Sequence, residues 1–163
     1  MMPSVIIIGN SRVHLSERLA RTYIDEARRL WKLGRADEAE TVLREGLKWF
    51  PDDADLHFAS ADFAEVRHDW AAVAARWHDT RIRYPNRWFC HVGEALGLCH
   101  LNRLDEAEAL LREAMNRFPD EPQPVLDHAR VALLRRDWGE ALVRCTAARS
   151  RFPARSVTYI GEA

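Results

Sequence analysis

The residues of this chain best suited to chemistry are two Cys-His pairs, Cys90-His91 and Cys99-His100, in the segment CHVGEALGLCH. Thiolate and imidazole are ligands that Zn²⁺ prefers, and a zinc site needs them within about 2.3 Å of one ion. The segment is predicted to be helical, so a rise of 1.5 Å per residue separates the pairs by about 12–15 Å. Cys90 and Cys99 would also point to opposite faces of that helix. We therefore predict no metal and no cofactor.

A second candidate is the apolar run Val5–Ile8, which is followed by Gly9-Asn10-Ser11. Four β-branched residues predict a buried strand, and the glycine permits the tight turn that opens a nucleotide-binding or serine hydrolase fold. Such folds need several parallel strands, and this chain offers none, so catalysis would require another chain to supply the sheet. No Ser-His-Asp spacing, Gly-rich phosphate loop or HExxH motif occurs. We predict that the protein is not an enzyme.

Composition narrows the class of partner and compartment. The 163 residues are 47% hydrophobic and 30% charged, as in ordinary globular proteins, and net charge is −1. Because phosphate neutralisation supplies most nucleic-acid affinity, the interleaved charges predict no nucleic-acid partner. Three cysteines without framework spacing indicate a reducing compartment, and residues 5–8 are too short for a signal peptide or a membrane span. We predict a cytoplasmic protein that does not contact membranes.

A 34-residue repeat organises the rest of the chain. Small residues recur with this period in two series, and so do aromatic-proline pairs: Ala27, Ala61, Ala95 and Ala129; Ala39, Val73, Ala107 and Ala141; Phe50-Pro51, Tyr84-Pro85, Phe118-Pro119 and Phe152-Pro153. Each unit predicts two helices joined by a short turn, with the proline ending the second helix. Gly34 and Asn102 occupy equivalent turn positions and tolerate the left-handed conformation.

Odd and even units differ, which gives a second period of twice that length. GRADEAETVLREGLKWFPDD and NRLDEAEALLREAMNRFPDE, which lie two units apart, are identical at 11 of 20 positions. Trp70 and Trp138 mark the even units, and we predict that both are large core residues at the turn between the two helices. The array is therefore expected to have grown by duplication of a pair of units.

The period, the small residues at repeat positions 8 and 20 and the proline at position 32 resemble the tetratricopeptide-repeat family. LDEAEALLREAMNRFPDE (104–121) is similar to that family's usual second helix. The resemblance covers about residues 20–155 and implies an all-α, right-handed solenoid of four helix-turn-helix units, 20–53, 54–87, 88–121 and 122–155. The predicted organisation is an extended apolar segment at 1–15, the repeats at 16–155 and a tail at 156–163. Position 4, often Trp, departs from the family pattern with Tyr23, His57, His91 and Val125.

The resemblance also implies that the first helices line a concave groove, with positions 2, 5, 9 and 12 facing it. An apolar groove rimmed by charges predicts an interaction scaffold that binds an extended or helical apolar segment of a protein or peptide. The predicted groove residues are Arg21, Ile24, Arg28, Trp31, Asp55, Phe58, Asp62, Phe89, Val92, Leu96, Gln123, Leu126 and Arg130. Position 5 (Ile24, Phe58, Val92 and Leu126) also suits packing between helices.

The two ends of the chain predict self-association as a homodimer. Val5, Ile6, Ile7 and Ile8 need a surface that buries them, which is the chain's own groove, a second copy, or SVTYI at 156–160. Leu142 and Cys145 lie on a face of the last helix that the ten residues after Pro153 are too few to cover with a capping helix. The alternative is an accessory domain or subunit of a larger enzyme or secretion assembly, with residues 3–12 completing a partner's sheet.

Overall fold

The structure, a computed structural model, describes residues 11–153, and the side chains of residues 15–153. These residues form eight α-helices: α1 (Ser11–Lys32), α2 (Ala36–Trp49), α3 (Ala54–Val66), α4 (Trp70–Arg83), α5 (Trp88–His100), α6 (Leu104–Arg117), α7 (Pro122–Leu134) and α8 (Trp138–Arg151). The predictions made for Val5–Ile8 and for the tail 156–163 fall on residues outside this range.

The helices reproduce the period of the sequence. The second helices α2, α4, α6 and α8 have 14 residues each, and each starts one repeat after the previous one. The first helices α3, α5 and α7 have 13 residues each and follow the same spacing. Each second helix ends one residue before the aromatic-proline pair, since proline disfavours a helical conformation in the residue that precedes it. The predicted helix-turn-helix pattern is confirmed.

The first helix corrects the prediction for residues 11–15, which are helical rather than extended because α1 already begins at Ser11. Leu15 and Leu19 continue the spacing of four residues that leads to Tyr23, and no proline or glycine interrupts it. Residues 11 and 12 are therefore not available to a partner's sheet, which shortens the segment required by the alternative function.

The turns within the helix pairs share one conformation. Gly34, His68, Asn102 and Arg136 occupy the same repeat position and have φ values of 74°, 56°, 58° and 60°. The left-handed conformation predicted for Gly34 and Asn102 is confirmed. His68 and Arg136 adopt it although their side chains make it unfavourable.

The chain divides into two compact units, one ending at Arg67 and the other beginning at His68. The boundary falls inside the predicted repeat 54–87. The first unit contains α1–α3 around a core that includes Ile24, Leu43, Leu56 and Phe63. The second contains α4–α8, with a core that includes Leu98, Leu111 and Val131. All eight small residues of the two predicted series are at most 3% exposed, which confirms that they allow close helix packing.

The two tryptophans of the even units differ from the prediction. Trp138 is 65% exposed, so its predicted place in the core is wrong. Trp70 is half-buried and stacks on His100 of α5, with ring centroids 3.5 Å apart. The difference arises because α5 follows α4 and contacts it, whereas no helix follows α8 within the described residues.

Candidate functional site

The first unit carries an apolar pocket between α1 and α3, which we call the α1–α3 pocket. Its volume is about 200 Å³. Apolar side chains from all three helices of the unit form most of the wall, and three charged side chains line it as well. The lining residues are Ile24, Ala27, Arg28, Trp31 and Lys32 of α1, Leu43 of α2, and Ala59, Asp62, Phe63 and Val66 of α3.

Helical spacing explains why these residues meet. On α1 and on α3 each pocket residue has another pocket residue three or four positions away, so each set shares one face of its helix. Trp31 and Phe63 link the two faces through an edge-to-face contact, with ring centroids 5.3 Å apart and ring planes at 81°. Trp31 is half-buried, so part of its indole remains available to a ligand.

The charges at the pocket are of both signs. Asp62 is exposed, but the neighbouring protein atoms exclude part of its water, which raises its pKa; Glu65 raises the pKa further, while Arg28 acts in the opposite direction. Arg28 also lies 3.7 Å from Asp25 of its own helix. The pocket therefore offers an apolar surface with a carboxyl group and cationic groups beside it.

The size of the pocket limits what it can hold. Sites for drug-sized molecules and cofactors occupy about 300–1,000 Å³. A pocket of about 200 Å³ is smaller than this range and suits one large apolar side chain.

Four of the predicted groove residues, Ile24, Arg28, Trp31 and Asp62, meet in the α1–α3 pocket. Ile24 is only 3% exposed and also belongs to the core, as the sequence allowed. Arg21 and Asp55 line a separate cleft at the starts of α1 and α3, beside Glu17 and Asp53. Phe58 is half-buried and lines neither of these two pockets.

The predicted residues of the second unit lie on α5 and α7. Val92, Leu96 and Leu126 are half-buried. Phe89 contacts Trp77 of α4 edge to face at 6.1 Å, so it contributes to the packing of α5 on α4.

Gln123 and Arg130 both bind Asp127 of their own helix. Gln123 donates a hydrogen bond of 2.9 Å to Asp127, and Arg130 lies 3.3 Å from it. The carboxyl group of Asp127 is thus held within α7, so these two polar groove residues already have an intrahelical partner.

A cleft of mixed polarity that the sequence analysis missed lies between α4 and α6, with a volume of about 670 Å³. Glu94 of α5 lies at its base and is 8% exposed. It binds His78 Nδ1 at 2.9 Å and accepts a hydrogen bond of 2.6 Å from Arg81. The sequence did contain one signal for the site around Glu94, since Glu94 is the only acidic residue in α5.

The Cys-His segment is distributed over different environments. Cys90 and His91 are fully buried, and burial raises the pKa of the Cys90 thiol to about 11, which disfavours a reactive thiolate. His91 packs edge to face on Phe118, whereas His100 stacks on Trp70. Among the residues that the structure describes, no group of three His, Cys, Asp or Glu residues is arranged to hold a metal ion.

The predicted self-association residues are only partly described. Leu142 is 69% exposed and Cys145 is half-buried, whereas Val5, Ile6, Ile7 and Ile8 lie outside the described residues. In the described part of the chain, every helix is too short or too polar to cross a membrane.

Comparison with known proteins finds similarity at the level of structure. No protein-family model and no curated protein sequence matches the chain. MamA from Desulfovibrio magneticus RS-1 aligns with a TM-score of 0.68 at 13% identity, covering 82% of this chain and 76% of that one. A tetratricopeptide repeat protein from Parabacteroides merdae ATCC 43184 gives a TM-score of 0.74 at 13% identity, covering 83% and 53%.

The first tetratricopeptide-repeat domain of human RPAP3 gives a TM-score of 0.62 at 13% identity and covers 74% of this chain and 95% of its own. At such identities the similarity concerns the fold, and it agrees with the helix pattern and the small-residue positions described above. The chain has the tetratricopeptide-repeat fold, an all-α helical-repeat solenoid.

Proposed function

We propose that this chain is a non-catalytic scaffold that binds an apolar segment of another protein and takes one bulky side chain of that segment into the α1–α3 pocket. The observation that carries the proposal is the pocket itself, whose wall is mostly apolar and whose volume of about 200 Å³ suits a side chain. The tetratricopeptide-repeat fold supports it, since helical-repeat arrays present extended binding surfaces to partners.

The pocket explains both affinity and orientation. An aromatic or large aliphatic side chain would contact the exposed part of Trp31 and the ring of Phe63, and its burial would provide most of the binding free energy. Arg28 and Lys32 suit an acidic residue next to this anchor, while Asp62 suits a hydrogen-bond donor. The ten lining residues include no Ser, Thr, Cys, His or Tyr, so the pocket wall has no hydroxyl or thiol nucleophile and no histidine base.

The test uses Val66, which lines the pocket and is 45% exposed, so the helix tolerates a polar replacement. A library of random 12-residue peptides is displayed on phage and selected on the immobilised chain. Val66→Glu places a charge in the apolar pocket and is expected to weaken the selected peptides about 10- to 100-fold, because a buried anchor contributes about 1.5–3 kcal/mol. The matched control is Leu33→Glu, at a residue that is 58% exposed and does not line the pocket.

Selected peptides that share an apolar anchor, bind the parent and Leu33→Glu equally, and bind Val66→Glu weakly would support the proposal. Peptides that ignore Val66→Glu would show that the pocket is not the binding site. Phe58→Glu and Val92→Glu extend the same measurement to the other predicted groove positions.

Self-association, cytoplasmic location and the lack of a nucleic-acid partner stay predictions. Light scattering over a dilution series from high to low micromolar concentration tests the homodimer. A mass that stays monomeric at every concentration would contradict it, and a dimer that Leu142→Asp abolishes would support the C-terminal end as its interface.

A further inference from the structure

The cleft between α4 and α6, which we call the α4–α6 cleft, lies within the second unit and has an apolar end and a charged end. Its volume of about 670 Å³ is large enough for a small ligand or for two side chains of a partner. The apolar end is lined by Ala71, Ala75 and Leu98, and the charged end by Asp79, Glu94 and Glu113. A ligand that fills the cleft therefore needs an apolar group and a polar group side by side.

The charged lining has an excess of carboxylates. It contains four carboxylates and two arginines, and each arginine is bound to one of the carboxylates. Arg81 donates a hydrogen bond of 2.6 Å to Glu94, and Arg103 donates two of 2.7 Å to the glutamate three residues later. The other two carboxylates are Asp79 of α4 and Glu113 of α6, which are exposed and occupy the same repeat position on the two walls. The cleft therefore favours a cation.

A buried histidine beside the cleft adds a second sign of an incomplete site. His91 of α5 is fully buried, and its Nε2 has no hydrogen-bond partner among the residues that the structure describes. Nε2 lies 3.6 Å from Oε1 of Glu113, which is too long for a hydrogen bond. Burial lowers the pKa of His91, so the imidazole is neutral at pH 7 and does not balance the charge of Glu113. The Glu113 carboxylate is thus left for a cationic ligand.

The equivalent place one repeat later, between α6 and α8, is filled by an arginine of the chain itself. Arg144 of α8 donates hydrogen bonds of 2.7 Å to Glu108 and to Glu140. A third, of 3.1 Å, goes to the backbone carbonyl of His128, and only 11% of the Arg144 side chain is exposed. The repeat therefore provides a place for a guanidinium group between successive second helices.

In the α4–α6 cleft the same positions hold smaller side chains. Leu110 takes the place of Arg144, and Ala74 takes the place of Glu108. Glu106 keeps the acidic group that Arg144 binds within its own helix. The chain thus leaves open, in this cleft, the space that its own arginine fills one repeat later.

We propose that the α4–α6 cleft binds an arginine side chain of a partner protein, together with an apolar side chain next to that arginine. The guanidinium group lies among Asp79, Glu94 and Glu113, and the apolar side chain packs on Leu98 and on the alanines of α4. Arginine suits the site better than lysine because its planar group has N–H donors in fixed directions and can bind carboxylates of both walls at once. The site goes beyond the proposed function, since it uses none of the residues of the α1–α3 pocket.

The test is a titration of the full, isotope-labelled chain with the dipeptide acetyl-Leu-Arg-amide, followed by NMR. We expect saturable binding in the millimolar range, with shift changes concentrated at the backbone amides of α4 and α6. Three comparison ligands each lack one feature: acetyl-Leu-citrulline-amide lacks the charge, acetyl-Gly-Arg-amide lacks the apolar side chain, and agmatine is a free guanidinium. Each is expected to bind at least about 5-fold more weakly than the dipeptide.

Substitutions in the cleft test the same contacts from the side of the protein. Glu113→Gln and Asp79→Asn are each expected to weaken the dipeptide about 5- to 10-fold, because each removes a carboxylate that the guanidinium binds. Leu110→Arg supplies the counterpart of Arg144 and is expected to abolish binding. The matched control is Glu45→Gln, at the same repeat position on α2, which is exposed, lies outside the cleft and should leave the affinity unchanged.

Binding that Glu113→Gln and Leu110→Arg leave unchanged would overturn the proposal, and so would equal binding of the citrulline peptide or the absence of saturable binding. Agmatine that binds as tightly as the dipeptide would assign the cleft to a free cation and would also overturn it. Unchanged far-UV circular dichroism shows that the variants fold, and Glu113→Gln with the citrulline peptide decides the outcome if Leu110→Arg does not fold. Val66→Glu, which tests the α1–α3 pocket, should leave this binding unchanged, so the two proposals can fail separately.

Discussion

Glu108 of α6 is the ionisable residue whose effect on stability can be worked out most directly. It is 6% exposed and lies within 2.7 Å of Arg112 and of Arg144, while Arg135 also donates a hydrogen bond to it. Burial alone raises the pKa of Glu108, but the hydrogen bonds from Arg135 and Arg144 outweigh it and hold the pKa at about 2. The carboxylate therefore joins α6 to α8 and to the end of α7 as an anion.

The magnitude follows from linkage. A carboxyl group with a pKa of 4.5 in the unfolded chain and about 2 in the folded chain adds about 3 kcal/mol to the free energy of unfolding. Because the folded pKa is the lower one, this contribution is complete above about pH 5 and is lost as the pH falls towards 2. By the same relation about half of it remains at pH 3.

The assay is urea unfolding of the parent and of Glu108→Gln at pH 7, 5 and 3, with circular dichroism as the signal that monitors unfolding. At pH 7 we expect the variant to be about 3 kcal/mol less stable, since Arg135 and the half-buried Arg144 each lose a buried anionic partner and keep only Asp105 and Glu140. Between pH 5 and pH 3 the parent is expected to lose about 1.5 kcal/mol through Glu108, and the variant lacks this loss.

Two controls separate Glu108 from other titrations. Burial lowers the pKa of His91 and of His128, so both begin to reduce stability as the pH falls below about 6.5, and the comparison of parent with variant cancels the part of this loss that the two proteins share. Glu106→Gln removes a carboxylate that pairs with Arg103 on the surface, and it should leave the unfolding curve unchanged. The reasoning would be refuted if Glu108→Gln were as stable as the parent at pH 7. It would also be refuted if the variant lost as much stability as the parent between pH 5 and pH 3.

Two further pairs of substitutions test the backbone and the packing. Arg136→Gly should raise the free energy of unfolding by about 1 kcal/mol because glycine adopts the left-handed turn without strain. Gly34→Ala should lower the free energy of unfolding by a similar amount. Urea midpoints that moved the other way would contradict this explanation of the turns. Gly93→Ala should lower the free energy of unfolding by about 1–3 kcal/mol because the added Cβ meets the Trp77 ring at 2.5 Å. Gly139→Ala, whose added Cβ has its nearest atom at 3.7 Å, should raise the free energy of unfolding by about 0.5–1 kcal/mol through helix propensity. Equal thermal shifts for the two variants would show that helix propensity, and not the close approach, sets the effect.

The helices could be predicted from the sequence because their limits depend on local and steric properties. Proline stops each second helix, small residues mark the closest contacts, and both recur once in every repeat. The start of α1 was missed because the aromatic-proline signal is absent before the first unit. The spacing of Leu15 and Leu19 does indicate a helix there, but the strong β-branched signal of Val5–Ile8 was extended too far along the chain.

The candidate site was less accessible to sequence reasoning. Family positions located Ile24, Arg28, Trp31 and Asp62, but Phe63 and Val66, which complete the pocket, lie outside the repeat positions that the resemblance assigns to the groove. Within α7, the spacing of Gln123, Asp127 and Arg130 at three and four residues could have shown that the predicted groove residues Gln123 and Arg130 bind Asp127.

The two-repeat period has a physical basis in two kinds of contact between successive repeats. Between α4 and α5 the helices approach through Gly93 and Gly97, and the buried carboxylate there is Glu94 with its partners. At the next contact, between α6 and α7, Val131 takes the place of Gly97, and Glu108 gathers arginines. The ion pair of Arg135 with Asp105 recurs two repeats earlier as Arg67 with Asp37. Each kind of contact constrains residues in both of the repeats that form it. Duplication of a pair of repeats preserves both kinds of contact, which accounts for the period of two repeats in the sequence.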